Sequence, residues 1–195
     1  AMYNADIPGR DRPVSSILES MKIEVQSSNQ RKTAVIEDVW FGSDILKPGE
    51  ILEVKIFLKP YRGDRLVRQL SVPIPKNISD GPVQVLVGSA QAVTQHDITT
   101  VPQRFRPSDG PRLIELINDR RTGNLLYLIM YQGGLGGIVK GRDMPGLPPS
   151  VLAVMHSERT KGSFIPIREK VVAEEAIKTD YVIVGQKLSR LTIKR

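Results

Sequence analysis

The feature of this sequence that most constrains its fold is an alternation of apolar and polar residues before residue 90, broken at short intervals by turn-forming residues. The alternation is clearest at 51–59, where every second residue is apolar and most of the others are charged. Successive side chains of a β-strand point to opposite faces, so this pattern predicts strands with one buried face. The apolar residues of this segment are Leu52, Val54, Ile56 and Leu58.

Turn sequences separate five such segments. Pro48 and Gly49 suit the central positions of a type II turn, and 61–64 is predicted to reverse the chain. In the segment 66–74, Arg68 is the one charged residue in a row of otherwise apolar residues that is predicted to face inward. Five short strands at this spacing predict an Ig-like β-sandwich over 14–90, after a flexible N-terminal segment at 1–13. The predicted strands cover 21–25, 32–41, 52–58, 66–74 and 83–87.

The pattern changes after residue 90. The segment 91–110 is polar and contains prolines, so we predict an irregular crossing loop. Pro111 suits the first turn of a helix capped by Ser108 or Asp109, with an apolar face at 113–117. The remaining predicted elements are a β-rich run at 125–131, a glycine-rich turn at 133–137, a short helix at 151–155, and an antiparallel hairpin formed by 164–177 and 181–193.

Two domain arrangements fit these elements. In the first, 91–195 forms a smaller α+β subdomain that ends in the hairpin, which sequential adjacency favours. In the second, the terminal hairpin completes the sandwich and 100–160 is an insertion, which covers exposed sheet edges better. Both arrangements give a mainly β, α+β fold.

Composition excludes several kinds of site. The chain has no cysteine, which rules out disulfides and zinc–thiolate sites. Its two histidines lack a metal-binding spacing, so neither a metal nor a cofactor is expected. We interpret His96 as a solvent-exposed loop residue and His156 as the end of a short helix. No apolar run approaches the ~20 residues of a membrane-spanning helix. The start of the chain lacks the pattern of a signal peptide, so we expect any such signal to lie upstream or not to exist.

No local motif predicts catalysis. The glycines at 133–137 lack the Gly-Lys-Ser/Thr ending of a phosphate-binding loop. Glu174 and Glu175 fall in a predicted strand, which places their carboxylates on opposite faces. Trp40 follows a run of alternation and is expected in the core. We therefore predict no catalytic residue.

Two groups of basic residues form the candidate site. One surrounds the hairpin near residue 60, and the other lies in the crossing loop and at the start of the helix. Arginines interleaved with aromatic residues bind polyanions through phosphate contacts and stacking, with an affinity that falls as salt increases. The net charge of +7 is compatible with this, but no recognition motif is present, and nucleic acid is not expected as a partner. The candidate anion-binding residues are Lys59, Arg62, Arg65, Arg68, Arg104, Arg106 and Arg112.

Several segments together resemble one known family. They are 47–63 (KPGEILEVKIFLKPYRG), 72–75 (VPIP), 83–88 (VQVLVG), 147–155 (LPPSVLAVM) and 179–185 (TDYVIVG). These segments resemble the region downstream of the peptidase domain in large, secreted, SpoIVB-type serine-peptidase-like proteins, notably of acidobacteria. The resemblance covers about 14 to 193.

The resemblance implies a periplasmic or extracellular location and a role beside a peptidase domain. The family's serine motif (Gly-Met-Ser-Gly-Ser-Pro) and histidine motif (Gly-His-Pro) are both absent from this sequence, so no catalytic residue is carried over. We therefore expect a non-catalytic accessory module. Its expected partners are the peptidase domain of the same parent chain, or protein and peptide substrates. The alternatives are a polyanion-binding module and, more weakly, a small-ligand enzyme with a cleft between its two halves.

Overall fold

A computed structural model shows two packed β-sheets with a helix on the outer face of the second sheet. The structure describes residues 31–107, 110–139, 142–145 and 164–195, with the isolated positions 24, 29, 148, 150, 151 and 154. The predicted mainly β, α+β fold class is confirmed. Segment 1–13, the helix caps at 108 and 109, His156 and, apart from Glu24, the strand at 21–25 lie outside the described residues.

The strands are numbered along the chain. They are β1 (Thr33–Phe41), β2 (Ile45–Leu46), β3 (Ile51–Pro60), β4 (Leu66–Pro73), β5 (Gly81–Ser89), β6 (Leu125–Val139), β7 (Arg142–Pro145), β8 (Phe164–Lys178), β9 (Val182–Val184) and β10 (Gln186–Ile193). The helices are α1 (Ala90–Thr100), a 3-10 helix (Pro102–Phe105) and α2 (Gly110–Asn118).

The first sheet has the strand order β4-β3-β1-β9. The second has the order β2-β10-β5-β6-β7, and β8 pairs with the other side of β6. Strands that follow residue 90 therefore enter both sheets. The interior between the sheets is formed by both parts of the chain. It includes every second residue from Leu52 to Leu58 of β3, from Val83 to Val87 of β5 and from Leu126 to Met130 of β6.

The alternation predicted for β3 is confirmed, because Leu52, Val54, Ile56 and Leu58 are all buried. The turn that precedes β3 also has the expected geometry. Gly49 has a φ of 86°, and the Glu50 N–H donates to the Lys47 carbonyl over 3.1 Å. A positive φ at the third position of the turn is the requirement of type II that glycine meets without strain.

A β-bulge in β1 shifts which side chains face the interior. Ile36 pairs with Leu58 and Asp38 with Phe57, so Glu37 is an extra residue that opposes no partner. Before the bulge the even-numbered Ala34 and Ile36 are buried. After it the odd-numbered residues, Val39 and Phe41, pack against the core. The bulge thus keeps two apolar residues inside.

The prediction that Trp40 lies in the core is wrong. Its side chain is 61% exposed, because the bulge turns it to the outer face of the first sheet. There its ring meets Phe57 edge-on at 5.4 Å, and its Nε1–H donates to Asp38 Oδ2 over 3.0 Å. This hydrogen bond, followed by the one from the Val39 N–H, holds the pKa of Asp38 below its ordinary value.

The predicted crossing loop at 91–110 is also wrong, because α1 and the 3-10 helix occupy most of it. Ser89 caps α1 by accepting the Ala92 N–H at Oγ over 3.2 Å. Only three residues of α1 are buried, and the rest of the helix is largely polar. A helix with so narrow an apolar face owes its stability to tertiary packing rather than to its own pattern.

Two further predictions differ from the structure. The glycines at 133–137 do not form a turn but continue β6, with a register irregularity against β8 between Gly133 and Gly136. The terminal strands do not pair with each other, since β8 pairs with β6 and β10 pairs with β5. Gly185, with a φ of 92°, separates β9 in the first sheet from β10 in the second.

Deletion of Glu37 should leave the fold intact, because Ile36 and Asp38 then oppose Leu58 and Phe57 in a regular ladder with the same faces inward. The lost ion pair with Arg65 is exposed and contributes ~0–1 kcal/mol. Urea denaturation should show cooperative unfolding close to that of the parent chain. Deletion of Lys55 is the control: β3 has no bulge to absorb it, so buried residues turn outward and the fold is lost. Unfolding of both variants would contradict this account of β1.

Candidate functional site

A cleft of about 870 Å³ lies between the helices and one edge of the first sheet. Its walls come from α1, the 3-10 helix, α2, the segment 119–123, β8 and β9. Seven of its 18 lining residues are charged. They are the arginines Arg104, Arg112, Arg120 and Arg121 and the acids Asp97, Asp119 and Glu174.

A buried carboxylate anchors the inner part of the cleft. The side chain of Asp97 is 6% exposed and accepts hydrogen bonds from Arg121 Nη1 over 2.8 Å and from the Tyr131 hydroxyl over 3.2 Å. Arg121 Nη2 also donates to Glu174 Oε1 over 3.2 Å. The guanidinium therefore joins α1 to β8, and the buried charge of Asp97 has the partners that burial requires.

These contacts stabilise the protonated forms of Tyr131 and Arg121. Burial raises the pKa of Tyr131 above its ordinary value, and the charge and hydrogen bond of Asp97 raise it further. Burial alone would lower the pKa of Arg121, but Asp97 and Glu174 raise it on balance. Both groups thus keep their protons over the whole neutral range, as structural groups do, whereas a general acid or base needs a pKa near the working pH.

His96 does not lie in a solvent-exposed loop, so that interpretation is wrong. It belongs to α1, and its side chain is 22% exposed. Its ring lies 4.7 Å from that of Tyr131, and its Nε2 lies 4.0 Å from Glu169 Oε2. Among the described residues no hydrogen bond joins His96 to a serine or an aspartate, and a serine–histidine–aspartate triad requires both.

An apolar surface adjoins the cleft on α2. The predicted helix is confirmed, and Leu116 on its inner side lines the cleft. Leu113, Ile114 and Ile117 are 46%, 60% and 56% exposed. None of the nine residues of α2 is buried, so most of its apolar face is in contact with water.

Arg104 and Arg112, two of the predicted anion-binding residues, line the cleft together. Arg112 Nη1 donates to Glu115 Oε2 over 2.9 Å, and its Nη2 donates to the Arg104 carbonyl over 3.3 Å. Arg106, at the end of the 3-10 helix, is exposed and lies outside the lining.

The other predicted residues surround the β3–β4 hairpin. Lys59 is exposed, and the Arg62 guanidinium lies 5.2 Å from the Tyr61 ring. Arg65 Nε pairs with Glu37 Oε2 at 3.0 Å, and its guanidinium stacks 4.2 Å from the Phe57 ring.

Arg68 opposes the buried Ile56, which places it on the inner side of β4. An inward charge on an edge strand discourages pairing with other chains. The cleft borders β9 at the opposite edge of this sheet, so the structure does not bring the two basic groups into one surface. Polyanion binding by either group stays a prediction.

Sequence reasoning missed the ion cluster, which consists of Asp97, Arg121, Tyr131 and Glu174. Residues that bond to each other in this cluster are up to 53 positions apart in the sequence, so no local spacing connects them. One signal was available: Asp97 follows Ala90 and Val93 at helical spacing, and these are the three buried positions of α1.

Among the described residues, no group of three or more histidine, aspartate or glutamate side chains is arranged to hold a metal ion. In the same part of the chain, no helix combines the length and the apolar character needed to span a bilayer. Comparison with protein-family models, with curated proteins and with solved structures finds no match.

Replacement of Asp97 by alanine should lower the free energy of unfolding by about 2–4 kcal/mol, because it removes one partner of a buried ion pair while Glu174 still contacts Arg121. Urea denaturation measures the loss. Asp80→Ala is the matched control, since Asp80 forms an exposed pair with Arg195 at 3.6 Å and should contribute less than ~1 kcal/mol. Equal losses in both variants would contradict a structural role for the cluster.

Tyr131 should make stability depend on alkaline pH. Its folded pKa is raised above the ordinary value of 10.0, so its contribution is complete below that pH and is lost as pH rises above it. The loss should be about 1.4 kcal/mol per pH unit. Near neutral pH, Tyr131→Phe should be less stable than the parent by about 1–2 kcal/mol. Urea denaturation from about pH 8 to 11 should show this gap constant at first and narrowing above pH 10, and a constant gap throughout would refute the assignment.

Proposed function

We propose that this chain is a non-catalytic protein-interaction module. The observation that carries the proposal is the exposed apolar face of α2, where Leu113, Ile114 and Ile117 border a charged cleft. Clustered large apolar side chains rimmed by polar groups mark interaction sites on protein surfaces, because water contact with them is unfavourable.

The non-catalytic part of the proposal is supported by how the cleft uses its titratable groups. Asp97, Arg121 and Glu174 are bound to one another. The Tyr131 hydroxyl is committed to Asp97. Groups that are held in such pairs supply structure and charge rather than proton transfer at neutral pH.

The setting of the module is proposed from the sequence resemblance. We propose that it belongs to a secreted or periplasmic SpoIVB-type peptidase-like protein, in the cell envelope. Its partner would be the peptidase domain of the parent chain, or the protein and peptide substrates of that domain. In either case an apolar helix face is the kind of surface that a partner protein covers.

Ile114→Ser/Ile117→Ser should weaken partner binding at least about tenfold, because each isoleucine contributes roughly 1–3 kcal/mol when it is buried. Calorimetric titrations of the chain with a SpoIVB-type peptidase domain, and separately with casein as an unfolded substrate, measure the change. Ile45→Ser/Ile51→Ser is the matched control, since those isoleucines are 58% and 64% exposed but lie on β2 and β3 rather than on α2.

Absence of binding to both probes, or equal weakening by the two double variants, would contradict the interaction surface. The non-catalytic role has its own test. If the purified chain hydrolysed casein or an ester, and a serine or histidine substitution abolished that hydrolysis, the chain would be an enzyme instead.

A further inference from the structure

We propose that the cleft binds the C-terminal carboxylate of a polypeptide whose last side chain is apolar. The inference rests on the proposed function, and it names the part of the partner that the module recognises. Two properties of the cleft carry it: the charge of its lining, and the presence of polar and apolar side chains together in that lining.

The charge of the lining suits one carboxylate. Four arginines face three acids. Arg121 is already bound to Asp97 and Glu174. Arg120 lines the cleft without a hydrogen bond or ion pair to any other residue in the described part of the chain. Guanidinium groups bind carboxylates through paired N–H donors, so Arg120 is the residue assigned to the incoming charge.

Arg112 is held at the cleft in a defined position. Its bonds to Glu115 and to the Arg104 carbonyl fix the guanidinium between α2 and the 3-10 helix. Because the ion pair with Glu115 offsets the charge of Arg112, Arg120 is the arginine whose charge an incoming carboxylate would meet.

The walls provide for the rest of a peptide end. Gln91, Thr94 and Gln95 present amide and hydroxyl groups along α1, which can bond the peptide backbone. Phe105 of the 3-10 helix and Leu116 of α2 add apolar side chains to the lining. The exposed apolar residues of α2 lie on the same helix as Leu116, so preceding residues of the partner would lie along that helix.

Charge favours a chain end over a continuous chain in this cleft. Asp97 and Ile183, which are 5% and 3% exposed, line the cleft with Arg121. A segment that passed through would place neutral amides beside Arg120, whereas a chain end places a carboxylate there. The volume of about 870 Å³ lies in the range of pockets that enclose a ligand of a few residues.

The acids in the lining argue against a polyanion. A nucleic-acid strand brings a phosphate at each nucleotide, and these phosphates would meet Asp119 and Glu174 as well as the arginines. A single carboxylate brings only one negative charge, so it meets less of that repulsion than a strand does.

The test uses the full chain and the peptide Gly-Ser-Gly-Ala-Val-Leu, labelled with fluorescein at its N-terminus, in fluorescence polarisation. The same peptide with a C-terminal amide should bind at least about tenfold more weakly, because it lacks the charge-assisted hydrogen bonds. Arg120→Gln should weaken the acid peptide by a similar factor and leave the amide unchanged. Arg106→Gln, outside the lining, should alter neither.

Equal affinity for acid and amide, or equal weakening of both by Arg120→Gln, would overturn the inference. Stronger competition by oligo-dT or dodecanoate than by unlabelled acid peptide would overturn it in favour of a polyanion or a fatty acid. If casein binding that depends on Ile114 and Ile117 persists in either case, only the carboxylate site fails and the interaction module stands. Thermal unfolding confirms that Arg120→Gln is folded.

Discussion

The architecture depends on two central strands, β5 and β6, that are apolar on both faces. Val83, Val85 and Val87 face the first sheet, whereas Leu86 faces α1. In β6, Leu126 and Leu128 face the sheet, and Ile129 lies with Tyr127 and Tyr131 on the side of the helix. A strand with two apolar faces is stable only when both are covered, because each exposed face would leave a large apolar area in water. A sandwich alone covers one face, so a third layer is required.

That third layer also creates the charged cleft. Val93, fully buried, holds α1 against the sheet, and the next inward turn of the helix carries Asp97. A carboxylate in that position needs partners, which Arg121 and the Tyr131 hydroxyl supply. Arg121 can reach it only if 119–123 lies beside α1, and this placement gives the cleft its second wall. The need to cover the outer faces of β5 and β6 is thus linked to the position of the charged residues in the cleft.

The surface divides into parts with different properties. On the helical side, arginines and the apolar residues of α2 lie next to each other, and both proposals concern that side. On the first sheet, Arg65 is bound to Glu37 and stacked on Phe57, and Arg68 lies on the inner side of an edge strand. Basic residues that look equivalent in the sequence therefore have different environments, and three of the four in the hairpin group have structural contacts of their own.

The sequence by itself determined the strands β1, β3 and β4 of the first sheet, the turn at Gly49 and the helix α2, because alternation, turn residues and helical spacing are local properties. Only the tertiary structure decided the bulge at Glu37, the helix α1, the continuation of β6 through its glycines and the change of sheet at Gly185. Each of these depends on a partner strand or a covering layer far away in the chain. The ion cluster is the clearest case, since Asp97, Arg121 and Glu174 meet across separations of 24 and 53 residues. Long-range packing brings such groups together, and no local pattern encodes it.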